Sequence, residues 1–306
     1  MQKQKRETYI NALFVAIHTL SGLYSGLIEP EAIAESDCVK KSSYQAKHGE
    51  VKTYMQLNPS KGMKNNGMIL AYSELIRKLE EIFWSMGADS HDFTITRADL
   101  SINSATPGDF EMYSKLNRLL LCCLSDAYGL ENAYDTCDVW TQKRLSIAVK
   151  SRSLEAENYD KEKESGGAVP TTNRLELRSI RMNEKNADLQ REFAQNWVKR
   201  LEKATENYKN VQERYNLNLS RLFLEDQKKP QKERAYLSLN AFLLQYQHCI
   251  FCTAQMVDLL RKIGVENPES KAKNFKNRHS IEYFSQKDLL IVTAAIKKKI
   301  KNYFKR

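Results

Sequence analysis

The segment Asp92-Phe-Thr-Ile-Thr-Arg-Ala-Asp-Leu-Ser-Ile-Asn103 alternates in polarity and is rich in β-branched residues, which is the pattern of a strand with one buried face. Such a strand must pair with others, so the chain has to build a sheet. Residues 154–164 and 172–182 read as a β-hairpin, with Ser165-Gly166-Gly167 and Pro170 supplying the turn. Residues 51–59, 132–138 and 144–150 read as further strands. Helical spacing links Leu70, Leu75, Leu79 and Ile82 in residues 68–83. It also links Leu116, Leu119, Leu120 and Cys123 in a helix that opens at Pro107-Gly108 and stops near Gly129. Leu13, Ile17, Leu20, Leu23 and Leu27 predict an amphipathic helix at the N-terminal end. Strands mixed with helices in this order predict an α+β fold, a mostly antiparallel sheet with helices on one face.

Beyond residue 182 the pattern changes. From Leu189, Phe193, Trp197 and Leu201 to Leu219 and Leu222, apolar residues recur by threes and fours, which predicts one long helix over residues 183–226. A second helix is expected over 235–263 and a last one from Ser285, with Leu289, Val292, Ile296, Ile300 and Tyr303 inward. The expected division is therefore an α+β body over 1–182 and an all-helical module over 183–306.

Charge separates the two in the same way. Residues 268–306 hold eleven Lys/Arg against three Asp/Glu, so this stretch carries +8 of the chain's net +10. Lys297, Lys298, Lys299 and Lys301 form its densest cluster, and such a cluster favours an anionic partner, here DNA. No run reaches the roughly 18 apolar residues of a membrane span, so no membrane partner is expected. Six cysteines in 306 residues do not form a secreted disulfide framework, which points to a cytoplasmic chain. Cys249 and Cys252 make a single C-x-x-C inside an apolar run and read as core residues.

Side chains alternate between the faces of a strand. Ala98, Leu100 and Ile102 therefore share one face, with Arg97 and Asp99 on the other. Glu155, Glu157, Tyr159 and Lys161 share a face of the next strand, and Arg174, Glu176 and Arg178 oppose Leu175 and Leu177. An antiparallel sheet often has one wet face of mixed charge. The alternative is an active site in which Asp99, Glu157 and Glu176 hold Mg²⁺ or Mn²⁺, hard ions that take oxygen ligands and accompany phosphate chemistry. Arginines or a lysine would share the developing charge, and a tyrosine would attack.

The segments Ile95-Thr-Arg-Ala-Asp-Leu-Ser-Ile102, Glu157-Asn-Tyr-Asp-Lys161 and Thr172-Asn-Arg-Leu-Glu-Leu-Arg178 resemble, in order and spacing, the motifs of rolling-circle replication initiators from plasmids and phages of Gram-positive bacteria, relatives of the HUH nucleases and relaxases. The resemblance implies an HUH or ferredoxin-like sheet and a metal-dependent endonuclease. Such an enzyme nicks one strand at an origin, keeps the 5′ end as a phosphotyrosine and later rejoins it. By position it implies Tyr159 as nucleophile, Lys161 as phosphate contact, and Asp99 and Glu176 as metal ligands, with Arg97, Arg174 and Arg178 on DNA. Tyr113 and Tyr134 are alternative nucleophiles. The implied partners are a hairpin or single-stranded origin, a host helicase and a second copy of the chain. The HUH pair of metal-binding histidines has no counterpart among His18, His48, His91, His248 and His279. The rival readings are a non-catalytic DNA-binding replication accessory protein, a conjugative relaxase with the same chemistry, and a coiled-coil scaffold.

Overall fold

The computed structural model describes residues 2–47, 50–61, 71–105, 110–136, 146–165, 172–184, 189–281, 283 and 286–305. Eight strands form one antiparallel sheet: β1 (Leu13–Tyr24), β2 (Val39–Lys47), β3 (Glu50–Leu57), β4 (Phe93–Ala105), β5 (Glu131–Thr136), β6 (Ser146–Lys150), β7 (Leu154–Asp160) and β8 (Thr172–Glu184), in the order β2-β3-β1-β4-β8-β7-β6-β5. Helices α1 (Gln2–Ala12), α2 (Pro30–Ala34), α3 (Tyr72–Ser85) and α4 (Phe110–Tyr128) intervene among the early strands, and a single turn, α5 (Lys161–Glu164), follows β7. The α+β class is as expected.

The central strands set the two faces. Leu100 of β4 lies opposite Ile17 of β1 and Leu177 of β8, and Leu177 lies opposite Ala156 of β7. All four are fully buried, on the face covered by helices. Ser179 marks the same face, where its Oγ accepts from Trp197 Nε1 (2.8 Å) and donates to Glu192 Oε1 (2.7 Å). Trp197 and Glu192 belong to a π-helical stretch, Arg191–Trp197, which runs into α6 (Val198–Glu206).

Leu13 to Leu27 is not a helix. Leu13–Tyr24 is β1, preceded by α1, and the reason is a bulge. The register of β1 on β4 slips between Ile17 and Thr19, so His18 is an extra residue and the buried face runs Leu13, Val15, Ile17, Leu20. One inserted residue turns a spacing of two into three, which imitates helical periodicity. Phe14 and Ala16 on the other face are themselves partly or fully buried, so no polar alternation reveals the strand.

Four more boundaries differ from expectation. The strand expected to reach residue 164 ends at Asp160, whose side chain accepts from the backbone N–H of Glu162 (3.1 Å) and Lys163 (3.4 Å) and so starts α5. The long helix over 183–226 begins only after β8 and breaks at Asn207 before α7 (Tyr208–Gln227). The helix over 235–263 is two, α8 (Leu239–Gln245) and α9 (Thr253–Lys262), parted where Cys252 caps α9. A further helix, α10 (Pro268–Arg278), precedes α11 (Gln286–Tyr303). The loop residues 166–171, the 107–108 opening, Cys137 and Ser285 lie outside the described residues.

Of the two apolar clusters, one spans residues on both sides of 182/183 and the other lies wholly beyond it. α7 to α10 close a cluster of their own around Phe242, Ile250, Met256, Leu259 and Phe275. α6 and α11 instead join the sheet's cluster, with Val292, Ile296 and Ile300 fully buried there and Tyr303 Oη accepting from the backbone N–H of Ile17. The five described cysteines are buried thiols, and no described helix is long and apolar enough to cross a membrane.

Candidate phosphate-binding face

The face away from the helices carries Arg97, Asp99, Ser101 and Asn103 of β4, Arg174, Glu176 and Arg178 of β8, and Glu155, Glu157 and Tyr159 of β7. The register places Asp99 opposite Arg178 and Arg178 opposite Glu155, with Glu157 opposite Glu176 and Tyr159 opposite Arg174. Asp99 and Glu176 thus share one face, as the carboxylate reading requires.

A continuous hydrogen-bond chain crosses four strands, β1, β4, β8 and β7. Ser101 Oγ donates to the Ala16 carbonyl (3.1 Å) and accepts from Asn103 Nδ2 (3.2 Å); Asn103 Oδ1 accepts from Arg174 Nε at 2.6 Å. Arg174 Nη1 donates to Tyr159 Oη (3.4 Å) and pairs with Glu176 Oε1 (3.5 Å). Tyr159 Oη donates to the same Glu176 oxygen at 2.7 Å. The other Glu176 oxygen accepts from Arg178 Nε at 3.1 Å. Arg178 also pairs with Glu157 Oε2 (2.6 Å), with Glu155, and with Asp99 Oδ2 at 3.7 Å. Asp99 meanwhile accepts twice from Arg97, at 2.8 and 2.9 Å.

Electrostatics follow from these pairings. Burial pushes the Glu176 carboxyl up, but Arg178, then His18, the Tyr159 hydroxyl and Arg174 outweigh it and hold the group down at about 2. Burial, and then the Glu176 charge, push the Tyr159 phenol up. Burial raises Asp99 and Glu157 despite their arginines. Four carboxylates overcome the burial of Arg178 and raise it. Its guanidinium is therefore the fixed positive centre of the face.

Three residues of this face escape the motif reading. His18, extruded by the β1 bulge, is brought down to about 4 by burial and then by Arg174, and it also feels Glu176, Lys40 and Lys161. It is neutral at pH 7. Lys40 is the extra residue of a second bulge, between Val39 and Lys41, and is lowered by burial and then by Lys161. Glu155 is the third. Bulges re-aim side chains beside sites, and two of them here turn basic residues toward the acids. Nothing in a single sequence marks where a bulge falls, whereas Glu155 was legible as a face-mate of Glu157.

The other expected residues fall as follows. Lys161 opens α5 and pairs with Glu164, close enough to the face to act on His18 and Lys40. Arg174 is buried at 1% exposure, which makes it an internal brace, whereas Arg97 is partly exposed. Tyr113 belongs to α4, is fully buried and stacks on Tyr9 at 4.0 Å, on the helix-covered side. The Tyr134 side chain lies outside the described residues. The α11 lysines are not brought to this face: α11 packs with the π-helical stretch on the opposite side, through Phe304 on Phe193. There Lys298 and Lys301 are exposed, Lys299 is half-buried, and Lys297 pairs with Glu202 at 3.2 Å.

The expected Mg²⁺ or Mn²⁺ does not fit this arrangement. Acidic oxygens are the right donors for such ions, but Asp99, Glu157 and Glu176 already spend theirs on guanidinium and phenol donors. Among the described residues no three His, Cys, Asp or Glu side chains are grouped to hold an ion.

The fold and face define an α+β protein with an arginine-centred polar site on an antiparallel sheet. No family model and no curated protein matches the chain. Among solved structures it is similar to a rolling circle replication initiator protein from Geobacillus stearothermophilus, with a TM-score of 0.31 and 13% identity over 56% of this chain and 76% of that one.

Proposed function

We propose that the protein initiates DNA replication by nicking and rejoining one strand, with Tyr159 as nucleophile. The observation that supports this reading is the Tyr159 hydroxyl, donating to Glu176 at 2.7 Å beside Arg174 and Arg178. A nucleophile, a proton acceptor and cations for a phosphate are within reach of one another.

In the nicking step the phenol proton passes to Glu176, the phenol oxygen bonds to phosphorus, and the bond from phosphorus to the 3′ oxygen breaks. That oxygen takes up a proton and becomes the 3′-OH. Rejoining runs in reverse, with the 3′-OH attacking the phosphotyrosine, so no ATP is consumed. At rest the transfer is uphill, because Tyr159 is pushed up while Glu176 is held near 2. A phosphodiester that draws Arg178 toward itself raises the basicity of Glu176 as it binds. Arg178 and Lys161 then carry the charge that develops on phosphorus, with Arg174 bracing Tyr159 and Glu176 from behind. A conjugative relaxase would use the same chemistry.

A second reading, a DNA-binding accessory protein without catalysis, is favoured by the pairing of Asp99, Glu155, Glu157 and Glu176 with arginines. Supercoiled DNA carrying the non-coding sequence beside the gene separates the two. Incubated with the protein in Mg²⁺, Mn²⁺ or EDTA and run on an SDS gel, it is expected to yield a nicked, protein-linked product that Tyr159→Phe abolishes. No adduct under any of these conditions leaves the accessory reading standing; an adduct that survives Tyr159→Phe moves the nucleophile elsewhere.

A further inference from the structure

The acids of the polar face are arranged as a cage for a cation, and the cage is filled from within the chain. The strand register sets Arg178 directly between Asp99 on one side and Glu155 on the other, with Glu176 two residues away on the same face and Glu157 paired to Glu176. Its position is thus fixed by backbone pairing across β4, β8 and β7. The side chain is only 14% exposed. A guanidinium offers five N–H donors in a planar fork, so it can serve acids from three strands at once. Mg²⁺ instead demands near-octahedral oxygens at about 2.0–2.1 Å.

We propose that Arg178 is the resident cation of this cage, and that its guanidinium and a divalent ion are mutually exclusive occupants. A divalent ion entering the cage would have to take oxygens of Glu176 and Glu157 from Arg178, and would sit beside a guanidinium that stays charged at every physiological pH. Repulsion between the two, with few oxygens left over, keeps the ion out while Arg178 is in place. Removing the guanidinium leaves Glu155, Glu157 and Glu176 without the partner they share, which frees their oxygens to close on a hard cation. The inference concerns the same side chains as the nicking reading but is tested without DNA, so either can fail alone.

The test is a titration of the full chain with Mn²⁺ alone, followed by electron paramagnetic resonance of the free ion. Wild type and Glu176→Gln are expected to bind Mn²⁺ alike, with no site that depends on Glu176. Arg178→Gln is expected to gain one site at least tenfold tighter than any in wild type, lost again in Arg178→Gln/Glu176→Gln. A wild-type Mn²⁺ site that disappears in Glu176→Gln overturns the proposal. So does an Arg178→Gln protein that is folded by circular dichroism and gains no site. Should Arg178→Gln not fold, Arg178→Lys takes its place: the compact ammonium spans fewer of the acids, so a weaker Glu176-dependent site is expected, and its absence overturns the proposal equally.

Discussion

Glu176→Gln isolates what the polar face contributes to stability. Glu176 is 3% exposed, and its carboxyl is held at about 2 against an ordinary 4.5. That gap of roughly 2.5 pH units corresponds to about 3 kcal/mol, at about 1.36 kcal/mol per unit. Because the folded value lies below the unfolded one, the contribution is complete above pH 4.5 and is lost as pH falls toward 2. Asp99 and Glu157 are shifted upward and so act in the opposite sense, but both are present in the variant and largely cancel from the difference. Urea unfolding followed by tryptophan fluorescence, with Trp197 fully buried as reporter, gives the gap at each pH. Wild type is expected to exceed Glu176→Gln by about 3 kcal/mol at pH 7, and at pH 3 about 40% of that gap should remain. A gap that stays flat from pH 7 to pH 3, or a variant as stable as wild type at pH 7, would refute the assignment of Glu176 as the ionised partner of Arg178 and Tyr159.

Leu100 is fully buried between β1 and β8, so Leu100→Ala should cost about 2–5 kcal/mol in chemical denaturation. Ser179→Ala strands the buried Trp197 indole N–H, and a loss of about 1–3 kcal/mol is expected in the same assay, with Leu189 and Phe193 still in place. If α11 binds DNA phosphates, Lys298→Ala/Lys301→Ala should reduce the slope of log affinity against log salt by about 2, as measured by fluorescence anisotropy. Lys297→Ala should change it less, because Lys297 is already paired with Glu202.

The parts of the site legible in the sequence were those governed by period two alone. On β4, β7 and β8, alternation placed Asp99, Glu157, Tyr159 and Glu176 on one face, and the strand register agrees. What alternation cannot supply is which charges meet. Arg178 looked like a DNA contact, and only the register shows it flanked by Asp99 and Glu155. β1 reads as a helix because it is buried on both sides and its phase slips at His18, which hides both His18 and the interior strand that joins β3 to β4. The break at Asn207 and the cap at Cys252 were hidden by apolar spacing that runs on through them, since tertiary packing, not local pattern, ends those helices.

The packing of α11 against β1 bears on the order in which the molecule is made. Tyr303 meets the backbone of Ile17 across 286 residues of chain, and Arg6 meets Asp288 across 282, at 2.7 Å. At about 5–20 residues per second, a ribosome needs roughly 15–60 s to travel that distance. Through that interval the nascent sheet has β1 but not the helix that covers part of it, and an uncovered apolar strand is what chaperones bind and aggregates recruit. The body therefore matures late, and a nascent chain stalled before Val292, Ile296 and Ile300 emerge would present that surface to chaperones and proteases.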